Sequence, residues 1–228
     1  MKDKIVLVTG ANGGLGSSVT QAFLDAGATV IGTSRNIRQS EFGSTTFTAI
    51  SADLSSDQGA RKLIEQVLSK FGRLDILAHT VGGFAGGSAI ADTDDATFQN
   101  MLEMNLYATF YLLRAAIPAL RQSEAGRVIA IGSRAAVDPG ANVGAYSASK
   151  AAMVSLIRTV ALENQDVGMT ANVILPGTID TTANRKGMPK ADFSKWVQSA
   201  SIASLMLWLA SEDGKDVNGA AIPVYGGA

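Results

Sequence analysis

The sequence Thr9-Gly10-Ala11-Asn12-Gly13-Gly14-Leu15-Gly16 directly follows the apolar run of residues 5–8. A strand that leads through a glycine-rich turn into a helix is the arrangement that binds a dinucleotide. Glycines let the backbone approach a pyrophosphate, and the helix N-terminus offers free N–H groups and the positive end of a dipole. A tight turn without a ligand is the alternative. The strand–turn–helix context favours a phosphate site formed by Gly10, Asn12, Gly13, Gly14, Leu15 and Gly16.

Short apolar runs alternate with segments of helical periodicity along the whole chain. The predicted strands are 4–9, 28–33, 46–52, 74–80, 127–133, 170–175 and 220–224, and the predicted helices are 16–26, 57–71, 96–121, 146–165 and 199–211. Several strands are continuously apolar, as they are when helices cover both faces of a parallel sheet. We therefore predict a single α/β domain over residues 1–228, with about seven parallel strands and helices on both faces.

The composition excludes several classes of protein. The chain has 228 residues, a formal net charge of -1, no cysteine and one histidine. Such a charge leaves no electrostatic footprint for nucleic acid or an anionic membrane. Without cysteine, and with a single histidine, the chain can form neither disulfides nor thiolate sites nor the two-histidine zinc motif, so we predict no metal site.

The expected location is the cytoplasm. A chain without cysteine fits a reducing compartment. The apolar run of residues 5–8 is too short for a signal peptide, and no charge-free apolar stretch approaches the roughly 20 residues of a membrane helix.

The end of the second predicted strand indicates which dinucleotide binds. An NAD site places an acidic residue there for the ribose 2′-hydroxyl, whereas an arginine accommodates the 2′-phosphate of NADP. This chain has Ser34 and Arg35 at that point, with Arg38 nearby. Solvated surface arginines are the alternative, but the pattern favours NADPH over NADH. After the third strand, Asp53 and Leu54 are candidates for binding the adenine, although Asp53 would also suit a helix cap.

A phenol and an ammonium group lie four residues apart in Tyr146-Ser-Ala-Ser-Lys150 and share one face of the predicted helix. Because a nearby cation favours the phenolate, we expect Lys150 and the nicotinamide to lower the tyrosine pKa from its usual value of about 10. Ser133 ends the preceding strand and could hydrogen-bond a substrate carbonyl. Asn105 lies inside helix 96–121, where asparagine is unfavourable without a reason. The alternatives are a surface helix turn at Tyr146 and a satisfied core polar residue at Asn105.

Taken together, these motifs resemble the short-chain dehydrogenase/reductase superfamily over essentially the whole chain. The residues that carry the resemblance, in order, are Thr9–Gly16, Asn105, Ser133, Tyr146 with Lys150, and Pro176 with Gly177. The resemblance implies a Rossmann-type doubly wound sheet and an oxidoreductase that uses a nicotinamide cofactor.

The resemblance also implies a role for each matching residue. Tyr146 would exchange the proton, Lys150 would bind the nicotinamide ribose and lower the tyrosine pKa, and Ser133 would position the substrate. Asn105 would hold a relay water through its backbone carbonyl, and Asp53 would contact the adenine. The remaining cofactor contacts would come from Gly82, Pro176, Gly177 and Thr181.

One position departs from the superfamily pattern. Most members have Asn-Asn-Ala-Gly after the fourth strand, whereas this chain has His79-Thr80-Val81-Gly82. We interpret His79 as a core or cofactor-wall residue rather than an acid–base group.

A narrower resemblance points to a substrate. The glycine-rich run around Phe84 and the Asn-Arg-Lys-Gly-Met-Pro stretch that contains Arg185 and Met188 resemble quinonoid dihydropteridine reductases. Residues 177–198 would then form a substrate lid, and a flat heterocycle would stack on Phe84. The chain departs from that branch because it keeps Ser133 and Asn105 and lacks an acid at Ser34. A ketone or 3-oxoacyl reductase is therefore the alternative enzyme, and a non-catalytic dinucleotide sensor is a more distant one.

The resemblance implies a homo-oligomer as well. Relatives pair helices 96–121 and 146–165 across a twofold axis, as a dimer or within a tetramer. The apolar residues available for this contact are Leu106, Phe110, Leu113, Ile117 and Leu120, some of which must face the sheet of their own subunit.

Overall fold

A computed structural model describes residues 1–227. In chain order, its elements are β1 (Ile5–Thr9), α1 (Gly16–Asp25), β2 (Thr29–Ser34), β3 (Phe47–Ser51), α2 (Asp57–Phe71), β4 (Ile76–His79), α3 (Asp95–Leu102), α4 (Ala108–Leu120), β5 (Arg127–Ile131), α5 (Gly144–Glu163), β6 (Thr170–Pro176), β7 (Ile179–Asp180), α6 (Thr182–Gly187), β8 (Val197–Gln198), α7 (Ser199–Ala210) and β9 (Ala221–Val224). Across residues 1–227, the structure contains no helix with the length and apolar character needed to cross a membrane.

Seven strands form one parallel sheet in the order β3-β2-β1-β4-β5-β6-β9. The predicted single-domain, doubly wound sheet is confirmed. The strand order changes direction between β1 and β4, where Thr9 pairs with His79 on one side and with Thr33 on the other. Ligands of such sheets bind in the crevice beyond the carboxyl ends of the strands at this switch point.

Two apolar layers hold the helices against the sheet. On one face, α2, α4 and α5 cover residues such as Leu7 and Leu77. On the other, α1 and α7 cover residues such as Val8 and Ile129. Because both faces are buried, the strands need no polar face, which explains the continuously apolar runs in the sequence.

The helix predicted over 96–121 is confirmed as a continuous helical segment over 95–120, but its hydrogen bonding changes in the middle. The segment divides into α3, a π-helical turn at Glu103–Tyr107 and α4. In this turn the N–H of Ala108 donates to the carbonyl of Glu103, five residues earlier. The wider turn places Asn105 in the interior, where it is fully buried. π-Turns of this kind are frequent at functional sites.

Two other segments differ from the prediction in their boundaries. Helix α5 begins at Gly144, one half-turn before Tyr146. The proposed lid, residues 177–198, is not a plain loop, since β7 and β8 pair in parallel at its two ends and enclose α6.

Candidate active site

The glycine loop between β1 and α1 is shaped for the close approach of an anion. Gly10 has a φ of 66°, which favours glycine. A Cβ at Gly16 would overlap the carbonyl of Gly10, and one at Gly14 would lie 2.9 Å from the side chain of Thr181. Helix α1 follows Leu15, whose apolar side chain cannot cap its free N–H groups. These residues fit a dinucleotide pyrophosphate, because backbone donors are presented where side chains have no room.

The end of β2 meets the glycine loop through short polar side chains. Asn12 donates to the side chain of Asn36 at 3.4 Å, and Asn36 also accepts from the Ser34 hydroxyl at 3.3 Å. Arg35 is exposed beside them. The structure thus brings Asn12 of the glycine loop close to Ser34 and Arg35, the residues that the sequence analysis proposed for the adenosine ribose.

Asp53 and Leu54 lie at the next strand end. The carboxylate of Asp53 accepts from the Ser55 backbone N–H at 3.1 Å. Its pKa is lowered mainly by the hydrogen bonds of Ser55 and also by the charge of Arg35. Leu54 is buried in the core under α2. Asp53 thus caps a turn, while Ser56 caps α2 by accepting from the N–H of Gly59.

Glu41 is a residue of this region that sequence reasoning missed. Its carboxylate accepts from the backbone N–H of Arg38 at 3.1 Å and from the side chain of Asn12 at 3.5 Å. The Glu41 carboxylate therefore contacts the glycine loop, although no acidic residue stands at the end of β2. The contact with Asn12 spans 29 residues, and no local pattern announces it.

Tyr146, Ser133 and Phe84 form the centre of the site. Phe84 is 67% exposed and its ring lies edge-on to that of Tyr146, with centroids 5.0 Å apart and an interplanar angle of 74°. Burial raises the pKa of the Tyr146 phenol, and a hydrogen bond with Ser133 opposes that rise. Within the protein alone, desolvation outweighs that hydrogen bond, and the lowering expected with the nicotinamide bound stays a prediction.

Lys150 lies beneath this centre and is 4% exposed. Its ammonium donates to the carbonyl of Ile131 at the end of β5, at 2.9 Å. A Cβ at Gly82 would lie 2.9 Å from both Lys150 Nζ and Asn105 Oδ1, so the absence of a side chain at Gly82 leaves room for both groups. Burial lowers the pKa of Lys150 to about 8.

Asn105 fastens the loop after β4 to α5. Its side-chain oxygen accepts from the N–H of Gly83 at 2.9 Å, and its NH₂ group donates to the Gly83 carbonyl and to Ser149 Oγ, both at 3.0 Å. Ser149 in turn donates to the backbone carbonyl of Tyr146 at 2.7 Å. The π-turn therefore positions the loop that carries Phe84 relative to the helix that carries Tyr146. Ser149 is a second residue that sequence reasoning missed.

The segment after β6 lies across the crevice, over the glycine loop. Gly177 donates its N–H to the carbonyl of Val224, which fastens the Pro176–Gly177 turn to β9. Thr181 caps α6 by accepting from the N–H of Asn184. This places Thr181 directly over Gly14 of the glycine loop.

Arg185 and Met188, the two side chains of residues 177–198 proposed to contact the substrate, differ in their contacts. Arg185 forms two hydrogen bonds to Asp180, at 2.6 and 2.7 Å, and its guanidinium lies 4.8 Å from the centre of the Phe193 ring. The pKa of Asp180 falls to about 2, chiefly through its hydrogen bond with Arg185. Arg185 thus braces the lid itself, whereas Met188 is 43% exposed.

His79 is a buried core residue, and its pKa is lowered to about 3 by burial and then by the charge of Lys150. It is therefore neutral at ordinary pH, consistent with the interpretation made from the sequence. Among residues 1–227, no group of three or more histidine, cysteine or acidic side chains is placed to hold a metal ion.

Comparison with known proteins places this arrangement in a family. The family model for short chain dehydrogenases matches residues 4–192. A dihydropteridine reductase of Dictyostelium discoideum is 32% identical over 222 residues, which cover 96% of this chain and 93% of that protein. A 7alpha-hydroxysteroid dehydrogenase of Escherichia coli strain K12 is 29% identical over 241 residues, which cover 98% and 93%. The solved structure of ElxO with NADP bound has a TM-score of 0.92 at 25% identity and covers 100% of this chain and 98% of its own.

The family match includes the glycine loop, the π-turn, Ser133 and the Tyr146–Lys150 pair. The names of the relatives differ in substrate, but one is a reductase and the other a dehydrogenase. The chain therefore belongs to the short-chain dehydrogenase family and is an NAD(P)-dependent oxidoreductase.

Proposed function

We propose that the protein is an NADPH-dependent reductase of a small planar heterocycle, most specifically a quinonoid dihydropterin. The observation that carries this proposal is the exposed Phe84 ring, which lies edge-on to Tyr146 at the mouth of the crevice. A flat ring that enters the crevice can stack on Phe84 while its edge meets the phenol. Such aromatic contacts contribute about 0.5–1.5 kcal/mol beyond the area that they bury.

The residues present would hold the dinucleotide along the carboxyl edge of the sheet. The glycine loop would bind the pyrophosphate, Ser34 and Arg35 the adenosine ribose with its 2′-phosphate, and Lys150 the nicotinamide ribose. The turn from Pro176 through Gly177 to Thr181 would complete the nicotinamide wall. When bound, the cofactor supplies the hydride.

Tyr146 would donate the proton that completes the reduction. Because burial raises its pKa, the phenol is protonated at neutral pH, which is the form an acid needs. Ser133 would orient the acceptor atom from the neighbouring strand end. Asn105 would hold the Phe84 loop and α5 in register, and its backbone carbonyl would accept from a relay water.

Three features support a pterin rather than another acceptor. The glycines around Phe84 let neighbouring side chains pack against the loop, since a Cβ at Gly83 would overlap Met104 and one at Gly86 would meet Val143, and Phe84 is the large exposed side chain of this loop. The lid keeps Met188 exposed, so an apolar side chain is available to cover a bound ring. The similar dihydropteridine reductase of Dictyostelium discoideum adds to the argument.

One observation favours a second candidate, the reduction of a ketone. Ser133 lies against the Tyr146 phenol, and such a hydroxyl can stabilise the developing oxyanion of a carbonyl. The similar hydroxysteroid dehydrogenase of Escherichia coli agrees with this reading.

A substrate panel tests the proposal. Purified protein would be mixed with NADPH or NADH and then with a quinonoid dihydropterin, a simple ketone or a 3-oxoacyl ester, while the nicotinamide absorbance is followed. We expect the fastest oxidation with NADPH and the dihydropterin. Rapid reduction of ketones with no activity toward the dihydropterin would overturn the substrate and leave the family assignment unchanged.

A further inference from the structure

The imidazole of His79 joins two elements that frame the site. It ends β4, is 1% exposed, and its Nδ1 lies 2.8 Å from Thr9 Oγ1 at the end of β1. Its Nε2 lies 2.9 Å from Thr109 Oγ1 in α4. A single ring thus connects the strand that leads into the glycine loop with the helix that follows the π-turn.

The neighbouring hydrogen bonds determine the tautomer. Thr109 donates its only hydroxyl hydrogen to the carbonyl of Asn105 at 2.7 Å, so it can only accept from His79. His79 Nε2 must therefore carry the hydrogen, and in a neutral ring Nδ1 must then accept. Thr9 supplies that donor, and its oxygen accepts from the N–H of Thr80 at 3.2 Å. Along this series of hydrogen bonds, each group donates to the next, from the N–H of Thr80 to the carbonyl of Asn105.

This chain of hydrogen bonds ends at the residue that organises the site. Asn105 holds both backbone groups of Gly83 through its side chain and reaches the carbonyl of Tyr146 through Ser149. A shift of its backbone would therefore move the Phe84 loop and the proposed relay carbonyl together.

We propose that His79 is a positioning residue: as the neutral Nε2–H tautomer it fixes, through Thr109, the backbone of Asn105 against the strand that leads into the glycine loop. The kinetic consequence rests on the proposed function, whereas the tautomer does not. In a protonated ring, Nδ1 would donate to Thr9 Oγ1. The Thr9 hydroxyl hydrogen would then lose Nδ1 as its acceptor. Burial and the charge of Lys150 act in the same direction, because they hold the pKa of His79 far below neutrality. His79 is therefore not an acid–base group.

Histidine NMR tests the tautomer without any substrate. His79 is the only histidine of the chain, so protein labelled with ¹⁵N-histidine gives a single set of imidazole signals. We expect a protonated Nε2 and an unprotonated Nδ1 that stay unchanged from about pH 5 to about pH 8, where an ordinary histidine titrates. A protonated Nδ1, or titration within that range, would overturn the proposal.

Paired variants test the positioning role. Thr109→Val keeps the shape of the side chain and removes both hydrogen bonds, whereas Thr109→Ser keeps them. His79→Gln offers an acceptor and a donor near the two ring nitrogens, whereas His79→Leu offers neither. We expect Thr109→Val and His79→Leu to lower kcat about tenfold or more, with little change in the KM for NADPH, since small displacements of reacting groups cost rate. Thr109→Ser and His79→Gln should recover most of kcat.

The pH profile and thermal unfolding separate positioning from other roles. The profile of kcat should have the same limbs in His79→Gln as in the wild type, and all variants should unfold cooperatively. Loss of one limb in His79→Gln would make His79 an acid–base group, and a wild-type kcat in folded Thr109→Val would remove the positioning role. If the wild type turned over none of the panel, the proposed function would fail, while the NMR result would still decide the tautomer.

Discussion

At the scale of single residues, burial acts on both members of the Tyr146–Lys150 pair and in each case disfavours the charged form. It raises the pKa of the phenol and lowers that of the ammonium to about 8. The neutral Tyr146 phenol can donate a proton. Lys150 titrates at about pH 8, so its charge can still change when an anionic dinucleotide binds.

Binding of NADPH should weaken in mildly alkaline solution. Lys150 is charged below about pH 8 and loses its proton as the pH rises through that value, although a free lysine would stay charged to about pH 10.4. Because the charged form attracts the anionic cofactor, we expect the Kd for NADPH, measured by fluorescence, to rise about tenfold between about pH 7 and about pH 9. Lys150→Met should bind more weakly and with no such pH dependence. The same alkaline weakening in Lys150→Met would assign the titration to another group.

Cofactor choice should depend on the end of β2. Arg35 can pair with a 2′-phosphate, and hydrogen bonds to charged groups contribute about 1.5–3 kcal/mol. We therefore expect Ser34→Asp with Arg35→Ala to lower kcat/KM for NADPH by about 10–100-fold and to improve the use of NADH. Arg38→Ala is the matched control, since that exposed arginine pairs with Glu41. Equal use of NADH and NADPH by the wild type would refute the preference.

The two substrate candidates make opposite predictions for Phe84 and Ser133. A pterin reduced at a ring nitrogen needs the aromatic platform more than the serine, so Phe84→Ala should lower kcat/KM more than Ser133→Ala does. A ketone would lose an oxyanion donor in Ser133→Ala, at a cost of about 10²–10³-fold. Steady-state kinetics of both variants on the preferred substrate would decide, and a dominant Ser133 effect would favour the ketone.

At the scale of elements, the site depends on the ends of strands and on one irregular turn. The glycine loop follows β1, the candidate ribose site follows β2, and the Phe84 loop follows β4. The π-turn then presents Asn105 to that loop from the opposite side. A straight helix over the same residues would keep the apolar periodicity but rotate Asn105 away from Gly83.

The strands, the glycine loop and the Tyr146–Lys150 pair could be predicted because each leaves a local pattern in the sequence. The π-turn could not, since the apolar residues before and after it continue one helical period. Glu41, Thr109 and Ser149 escaped notice for another reason: their partners lie 29, 30 and 44 residues away. Sequence spacing also reveals the charge near Tyr146 but not the burial that raises the pKa of its phenol in the protein alone.

At the level of the whole molecule, the chain leaves apolar side chains exposed on its outer helices. Phe110 of α4 is 40% exposed and Leu162 of α5 is 69% exposed, while Leu113 and Leu120 are buried within the core of the chain. Only some of the residues predicted for the subunit contact are therefore free to form it. Exposed apolar residues on adjoining helices are suited to a contact with a second copy.

The oligomer should dissociate when this outer face is charged. We expect the wild type to be a dimer or tetramer by light scattering at micromolar concentration. Leu162→Glu should shift it toward the monomer, because a buried, unpaired carboxylate is costly. Lys62→Glu on α2 is a control for added negative charge on an exposed surface. A monomeric wild type, or an unchanged mass in Leu162→Glu, would contradict this interface.

The most direct measurement compares NADPH oxidation by the wild type and by Tyr146→Phe with the quinonoid dihydropterin as acceptor. The substitution removes the hydroxyl that would donate the proton and keeps the ring that meets Phe84, so NADPH should bind almost as before. We predict a loss in kcat of about 10²–10⁴-fold, the range for a general acid. A loss of less than tenfold, with the chemical step limiting the rate, would contradict the assignment of Tyr146 as the proton donor.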